Sequence, residues 1–300
     1  MLLHHVSPQE RELTTYIAEG AVVALTGAGV STESGIPDYR SPTSRERAQV
    51  RGRRPIHGPE LAQSESLRRR YWARAMVGWE TFRLAQPGPA HHALARLEAA
   101  GLITGLITQN VDRLHQAAGT QRIVELHGAL AEVACLSCSA IVTRDAHQAR
   151  LREANPQWID GPAPIAPDGD AELPDALVDP FIVPACVACG GILKPKVVFF
   201  GDNVAREVVD AAFGMLEGAR TLLVCGTSLA VFSGYRFLRR AAENNVRIVI
   251  VNRGPVRGEE HAALKLEAST GEMLAAIAQR ISMAPQGNTT DKLGVASVRI

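Results

Sequence analysis

Ala21 to Arg40 reads AVVALTGAGVSTESGIPDYR, and the fold turns on this stretch. The apolar run from Ala21 to Thr26 is long enough for one buried strand. It breaks at Gly27-Ala28-Gly29 and continues as a polar loop of small residues ending in Asp38-Tyr39-Arg40. A strand running into a Gly-x-Gly turn sets backbone N–H groups at the strand's C-terminal edge. Without Cβ atoms the backbone can approach a phosphate there. The usual dinucleotide fingerprint has a third glycine three residues on, but here that position is Thr32, with Gly35 only later. A tight strand-to-helix turn with no ligand is the competing reading of the stretch by itself.

The chain has 300 residues, enough for one large domain or one domain carrying an elaborated insert. Its 32 basic and 31 acidic residues leave a charge of +1, so nothing marks it as a nucleic-acid or membrane-surface binder. No run approaches the ~18 apolar residues of a membrane span. The N-terminal MLLHHVSPQERELTTY shows neither an export pattern nor a transit-peptide composition. A soluble, cytoplasmic protein is expected. The oligomeric state stays open, a monomer being compatible with the composition.

Without an export signal the cysteines do not suggest a disulfide framework. Cys135-x-x-Cys138 and Cys186-x-x-Cys189 fit the two knuckles of a four-cysteine tetrahedral zinc site. Their separation costs little in loop-closure entropy. A structural ion is expected, because the four thiolates leave no open position. Two redox pairs are the rival reading, yet neither pair sits on a strand-to-helix turn of the redox type. Cys225 lies in an apolar run and reads as a core residue.

Around the opening stretch, periodicity predicts a helix over 8–19, one or two helices over 60–84 and a helix over 89–101. Strands are expected at 102–108, 122–126, 196–200, 221–226 and 246–252, with helices at 206–217, 233–244 and 271–281. Continuous apolar strands alternating with amphipathic helices imply an α/β fold: a Rossmann-like parallel sheet with helices on both faces. A smaller domain, made of a zinc-binding module and a helical insert, interrupts it. The expected boundaries are 1–40, 85–130 and 192–283 for the sheet, 41–84 for the insert, 131–191 for the zinc module and 284–300 for a flexible tail. The Pro- and Asp-rich stretch 156–184 reads as an irregular loop or ligand-facing excursion.

Several strand ends carry polar groups. His127 ends a strand, precedes Gly128 and leads into the cysteine module, which puts an imidazole where two units meet at the sheet's ligand-binding edge. His115 reads as structural, and His91 and His92 as ordinary helix residues. Gln109, Asn110 and Asp112 follow a strand end and suit ribose hydroxyls and a carboxamide. An Asn110 N-cap for the next helix is compatible with this. Gly226-Thr227-Ser228 follows a third strand and Asn252 ends a fourth. A plain dehydrogenase would place an acidic ribose reader ~20 residues beyond the glycine turn. That region instead holds Arg45, Arg47, Arg51, Arg53 and Arg54 and no strand pattern.

GAGVSTESGIPDYR, TQNVDRLH, ELHG, the paired cysteines, VVFFGD, GTSL and VNRG stand in the order seen in the sirtuin family of NAD-dependent protein lysine deacylases. The chain resembles that family from about Leu13 to Ile281. RRPIHGPELAQSESLRRRYWARAMVGWETF is similar to the class II branch, which includes a mitochondrial member, and the termini suggest a bacterial type. The resemblance implies that Gly27, Ala28, Gly29, Ser34, Ile36, Asp38 and Arg40 line a mobile NAD loop that orders when NAD binds. Gln109, Asn110 and Asp112 would surround the nicotinamide ribose, with Asn110 and Asp112 also in catalytic positions. Gly226, Thr227, Ser228, Asn252, Arg253, Gly254 and Thr270 would hold the adenosine half.

His127 would be the general base, and Cys135, Cys138, Cys186 and Cys189 would bind one structural zinc. Val198, Phe200, Gly201, Asp202, Leu229, Ala230 and Val231 would flank an acyl-lysine peptide added as a strand. The implied chemistry consumes NAD as a co-substrate. Nicotinamide leaves, the acyl oxygen captures C1′, His127 activates a ribose hydroxyl, and lysine and O-acyl-ADP-ribose are released. Acetyl is the default acyl group, with longer ones open. The partners implied are acyl-lysine proteins or peptides, with no nucleic acid and no membrane. Protein mono-ADP-ribosyl transfer, and a non-catalytic zinc-stabilised NAD or ADP-ribose reader, are the alternatives. Two departures stand out: Asp202-Asn203-Val204 replaces the family's acidic-Leu-Pro step, and Tyr71 with Arg74 only matches the spacing of a succinyl-selective pair.

Overall fold

Val22–Thr26 (β1) is buried at every position, as a central parallel strand covered on both faces must be. The chain is seen in a computed structural model that describes residues 6–41, 44, 56–158, 171, 173 and 178–283. The main sheet is 6-stranded, in the order β3-β2-β1-β7-β8-β9. Its other strands are Ile103–Thr108 (β2), Ile123–Glu125 (β3), Thr221–Cys225 (β7), Arg247–Val251 (β8) and Leu264–Leu266 (β9). All neighbours run parallel.

Alternate residues of β1 serve two cores. Val22 and Ala24 meet Leu13, Leu94 and Ile277 from the helices Pro8–Ala18 (α1), Pro89–Ala99 (α4) and Thr270–Met283 (α9). Val23 and Leu25 meet Leu216, Phe237 and Leu238 from Arg206–Leu216 (α7) and Phe232–Glu243 (α8). Each fully buried Leu or Phe stabilises the fold by roughly 1.5–3 kcal/mol. The α1 start is local chemistry: Glu10 N donates to Ser7 Oγ at 3.1 Å and Ser7 N to Glu10 Oε2 at 2.8 Å, a reciprocal cap.

A second, 3-stranded sheet has the order β5-β4-β6 and is antiparallel. Its strands are Gly128–Cys135 (β4), Ile141–Thr143 (β5) and Leu193–Val197 (β6). Gly58–Gln63 (α2), Glu65–Phe82 (α3) and Arg144–Ala154 (α6) pack with it. Leu61, Trp72 and Met76 share one core with Val133, Leu151 and Leu193. Trp72 Nε1 donates to the Leu193 carbonyl at 3.2 Å and Arg144 Nη2 to the Ala75 carbonyl at 2.9 Å. The helical insert and the cysteine-bearing segment are therefore packed as one body. Ile36, Trp79, Phe82, Leu114 and Leu130 form the apolar seam between it and the opening loop.

The strand expected at 196–200 is a correction. It is β6, begins at Leu193, and lies in the small sheet although it falls in the range read as parallel-sheet territory. Pro195 cannot donate to a ladder, so β6 belongs on an edge, where β4 pairs with it antiparallel. β4, β5, α6 and the short β9 were not legible as elements. The arginines at 45, 47, 51, 53 and 54, most of the Pro- and Asp-rich stretch and the tail from 284 fall outside the described residues. Among the described residues no helix is long and apolar enough to cross a membrane.

Candidate active site

The strand order reverses between β1 and β7, the place where open parallel sheets take ligands at their carboxyl ends. The loops that follow β1, β2, β7 and β8 start at Gly27, Gln109, Gly226 and Asn252, and all leave this one edge. The glycines let two of these loops touch. Gly29 N donates to the Gly226 carbonyl at 2.8 Å. A Cβ on Gly29 would stand 2.7 Å from that oxygen, and one on Gly27 would stand 2.6 Å from Thr227 Cβ. Beyond Gly27 the chain forms a 3-10 helix, Ala28–Ser34, closed by Gly35 in the left-handed region at φ 83.

Ser31 is the hub of the β1–β2 side. Its hydroxyl donates to Asp112 Oδ2 at 2.7 Å and accepts from Asn110 Nδ2 at 3.0 Å. His91 Nε2 lies 3.4 Å away. Gly88 N donates to His91 Nδ1 at 3.0 Å, so the ring's proton is on Nε2 and points at Ser31. Asn110 Nδ2 also donates to the Gly27 carbonyl at 3.1 Å. Asn110 therefore ties the loops together and caps no helix. Asp112 Oδ1 instead accepts from Leu114 N at 2.9 Å, at the start of Leu114–Ala117 (α5). Burial pushes the Asp112 carboxyl upward, against the Leu114 and Ser31 bonds. Deeper in, Thr26 Oγ1 bonds Thr108 Oγ1 at 2.9 Å and His115 Nε2 at 3.0 Å. The His91 and His115 rings meet edge-on at 4.7 Å. Burial lowers both imidazoles, His91 to about 4, so they are neutral.

Of the other residues singled out in the loops, Gln109 Nε2 donates to Thr227 Oγ1 at 3.0 Å, and that hydroxyl accepts from Leu229 N at 3.2 Å. Arg40 Nη1 reaches Ser228 Oγ at 3.3 Å, bridging the first loop to the one after β7. Asp38 Oδ1 accepts from Arg40 N and Ser41 N and so shapes its own turn. Ile36 sits in the apolar seam. Asn252 Nδ2 donates to the carbonyls of Arg253 and Gly254, and Thr270 Oγ1 to that of Val251. Ala28 and Arg253 lie on the same edge. Ser34 Oγ is buried without a partner, an unmet hydroxyl in the loop where a polar ligand is expected. Strand ends, a spare hydroxyl and buried amides thus fit a dinucleotide.

His127 stands where the two sheets join. Gly128, at φ 72, begins β4, and a Cβ there would lie 2.1 Å from the Lys196 carbonyl oxygen, so only glycine lets β4 cross β6 at this point. The His127 carbonyl accepts from Val198 N at 2.9 Å. The ring's Nδ1 lies 2.9 Å from the Gln109 carbonyl and Nε2 lies 2.8 Å from Ser233 Oγ. Burial lowers its pKa while the Gln109 carbonyl opposes the shift. The half-buried ring is neutral, with a basic nitrogen available at ordinary pH.

The expected peptide edge is already partly tied. The Phe200 carbonyl accepts from Gly58 N at 3.0 Å, and the Phe200 side chain is exposed. Asp202 Oδ2 accepts from Phe199 N at 3.2 Å and pairs with Lys194. The Asp202 carboxylate thus holds the turn at Gly201, whose φ is 80. Leu229 is buried and left-handed at φ 48, with Ala230 exposed and Val231 capping α8.

Sγ atoms of Cys135, Cys138, Cys186 and Cys189 all lie within 4.8 Å of one another. Cys135–Cys189 is 3.5 Å and Cys138–Cys186 3.8 Å. A tetrahedron with zinc–sulfur bonds of ~2.3 Å has edges of ~3.8 Å, so the cluster fits one structural ion. Backbone N–H groups of Cys138 and Ser137 pull the Cys135 thiol down, whereas, against the Gly191 N–H, the sulfurs of Cys138 and Cys135 push the Cys189 thiol up.

Ser31, Thr26, Thr108 and Ser233 were not singled out from the sequence, and His91, which the sequence reads as an ordinary helix residue, stands against Ser31. Ser31 lay inside the quoted stretch, but His91 had only a helical face to its credit.

The Sir2 family model matches residues 27–233. An NAD-dependent protein deacetylase of Xanthomonas axonopodis pv. citri is 49% identical over 251 residues, covering 84% of this chain and 84% of that protein. The bovine mitochondrial NAD-dependent protein lipoamidase sirtuin-4 is 46% identical over 271 residues, covering 90% and 86%. A solved Sir2–p53 peptide–NAD+ complex superposes with a TM-score of 0.72 at 28% identity, covering 91% of this chain and 99% of that one.

Proposed function

Because the chain belongs to the Sir2 family, we propose that the crevice between β1 and β7 removes acyl groups from protein lysines with NAD as the consumed co-substrate, acetyl being the default. NAD supplies an electrophilic ribose carbon once nicotinamide has left; the protein's task is to hold, orient and deprotonate. Gly27, Ala28, Gly29, Ser34, Ile36, Asp38 and Arg40 hold NAD from the first loop. Gln109, Asn110 and Asp112 hold its nicotinamide ribose, and Gly226, Thr227, Ser228, Asn252, Arg253, Gly254 and Thr270 its adenosine half. Val198, Phe200, Gly201, Asp202, Leu229, Ala230 and Val231 receive the peptide as an added strand. The cysteine site maintains the small sheet and takes no part in the chemistry, and a cytoplasmic setting keeps its thiols reduced.

The observation that carries this reading is the His127 ring. Its Nδ1 is committed to the Gln109 carbonyl at 2.9 Å, and a carbonyl only accepts, so Nε2 keeps a lone pair. A neutral, oriented imidazole at the junction of the two sheets is a base for a ribose hydroxyl. The test is mass spectrometry of an acyl-peptide reaction. Nicotinamide, O-acyl-ADP-ribose and free lysine should form together. Deacylation without NAD would overturn the reading, and labelled NAD left as a protein adduct with no deacylation would replace it by ADP-ribosyl transfer.

A longer acyl group is the second reading, favoured by the 46% identity to a lipoamidase. Assaying acetyl-, succinyl-, lipoyl- and fatty-acyl-lysine peptides side by side decides between them by kcat/KM.

A further inference from the structure

The His127 imidazole is gripped at both nitrogens. With the Nδ1 proton given to the Gln109 carbonyl, Nε2 can only accept in the neutral ring, so Ser233 Oγ, 2.8 Å away, donates to it. Ser233 lies inside the first turn of α8, whose N-cap is Val231 and which has no side-chain cap bond. Its hydroxyl is therefore not spent on the helix end. Gly234, the next residue, meets the other half of the same unit. A Cβ there would stand 2.5 Å from Gln109 Oε1 and 2.7 Å from Gln109 Cδ. Two consecutive residues of one helix start thus clasp the histidine and the glutamine whose carbonyl sets its tautomer. This start is well anchored, since Phe237 and Leu238 one turn on are fully buried in the core under β7 and β8.

We propose, resting on the deacylase reading, that Ser233 is a positioning residue for the general base. Its hydroxyl keeps the Nε2 lone pair aimed and satisfied until the ribose hydroxyl takes its place. It then turns from donor to acceptor once Nε2 is protonated. A serine hydroxyl can do both, because it offers one proton and two lone pairs. The proton moves from the ribose hydroxyl to Nε2, Ser233 loses none, and no bond to Ser233 forms or breaks. A hydrogen bond accepted from an imidazolium is stronger than one donated to a neutral ring. Ser233 therefore favours the protonated base on balance, partly offsetting the burial that disfavours it. Among the described residues no charged side chain contributes to the His127 shift, and it is the Ser233 hydroxyl that stands at Nε2.

The experiment compares wild type, Ser233→Ala, Ser233→Thr and His127→Ala with an acetyl-lysine peptide. Nicotinamide exchange and O-acyl-ADP-ribose formation are measured separately, because the base acts after nicotinamide has left. Ser233→Ala should exchange nicotinamide near the wild-type rate and lose product formation by about tenfold, in kcat and not in the KM for NAD. The acid limb of its kcat profile should move to lower pH, and Ser233→Thr should restore most of both. Should Ser233→Ala not fold, Ser233→Cys, of similar shape and with a weaker hydrogen bond, carries the same expectation. An active wild type whose Ser233→Ala matches it in rate and acid limb overturns this inference alone. Equal loss of exchange and product, or no rescue by threonine, also overturns it. A wild type without NAD-dependent deacylation overturns both readings.

Discussion

Ser31 Oγ and Asp112 Oδ2 meet at 2.7 Å across 81 residues of chain, joining the loop after β1 to the loop after β2. The serine is fully used. It accepts from Asn110 Nδ2 and from the His91 Nε2 proton, and it donates to Asp112. The pair fixes which way a buried carboxylate faces in the crevice, with neutral histidines behind it.

Ser31→Ala should leave Asn110, His91 and Asp112 each short of a partner. An unsatisfied buried polar group costs ~1–3 kcal/mol, so the melting temperature should fall by several degrees. The Asp112 carboxyl should rise further, because the Ser31 bond now lowers it. Calorimetry together with NAD titration checks this; an unchanged melting temperature and NAD affinity would remove Ser31 from the hub.

Acid should weaken the fold before the carboxylates titrate. Burial holds His91 at about 4, and His147, packed edge-on against Trp72 at 4.3 Å, at about 3. The unfolded chain binds protons near pH ~6.5, above both folded values. Stability is then complete above that pH and is lost as pH falls toward the folded values, by up to ~1.4 kcal/mol per unit per histidine. Asp112 is shifted upward and acts with the opposite sign: as pH falls through its raised folded value it takes up a proton before the unfolded chain does, and so offsets part of the histidine loss. Urea midpoints between about pH 7 and pH 5 should decline; a flat profile would contradict this.

Cys186 is buried in the core that contains Trp72 and Leu193. Cys186→Ala should release the metal and loosen the small sheet. Bound zinc by elemental analysis should drop, and tryptophan emission should shift red as the Trp72 bond to the Leu193 carbonyl opens. A Cys186→Ala protein that stays folded and fully active would contradict a structural role for the ion.

Gly58→Ala tests the edge beside Phe200. A Cβ at Gly58 would stand 1.9 Å from Asp202 Oδ1, forcing the Asp202–Lys194 pair and the turn it holds to move. The KM for peptide should rise several-fold, by roughly 1 kcal/mol of lost binding, while the KM for NAD is unchanged. Equal changes in both constants would place the fault in the fold as a whole.

The glycine turn, the cysteine pairs and the short strand before His127, which stops at Glu125, were legible because each is local. A strand must be apolar along its length when both faces are covered, and a Cys-x-x-Cys knuckle has one geometry; the demand for glycine at 128 is of another kind, because it comes from the Lys196 backbone far along the chain. β6 misled because Val197–Phe200 is apolar enough for a central strand, and only its antiparallel partner β4 shows it to be an edge. His91 and Ser233 carry no local mark. One is brought to Ser31 across 60 residues and the other to His127 across 106.

By itself, then, the sequence determined the parallel sheet, the paired cysteines and the place of His127 after a strand end, since residue type and spacing encode those directly. The tertiary structure alone decided which tautomer the base adopts and which hydroxyl faces its free nitrogen. Hydrogen bonds between distant residues depend on how helices and loops pack, and no spacing along the chain records that.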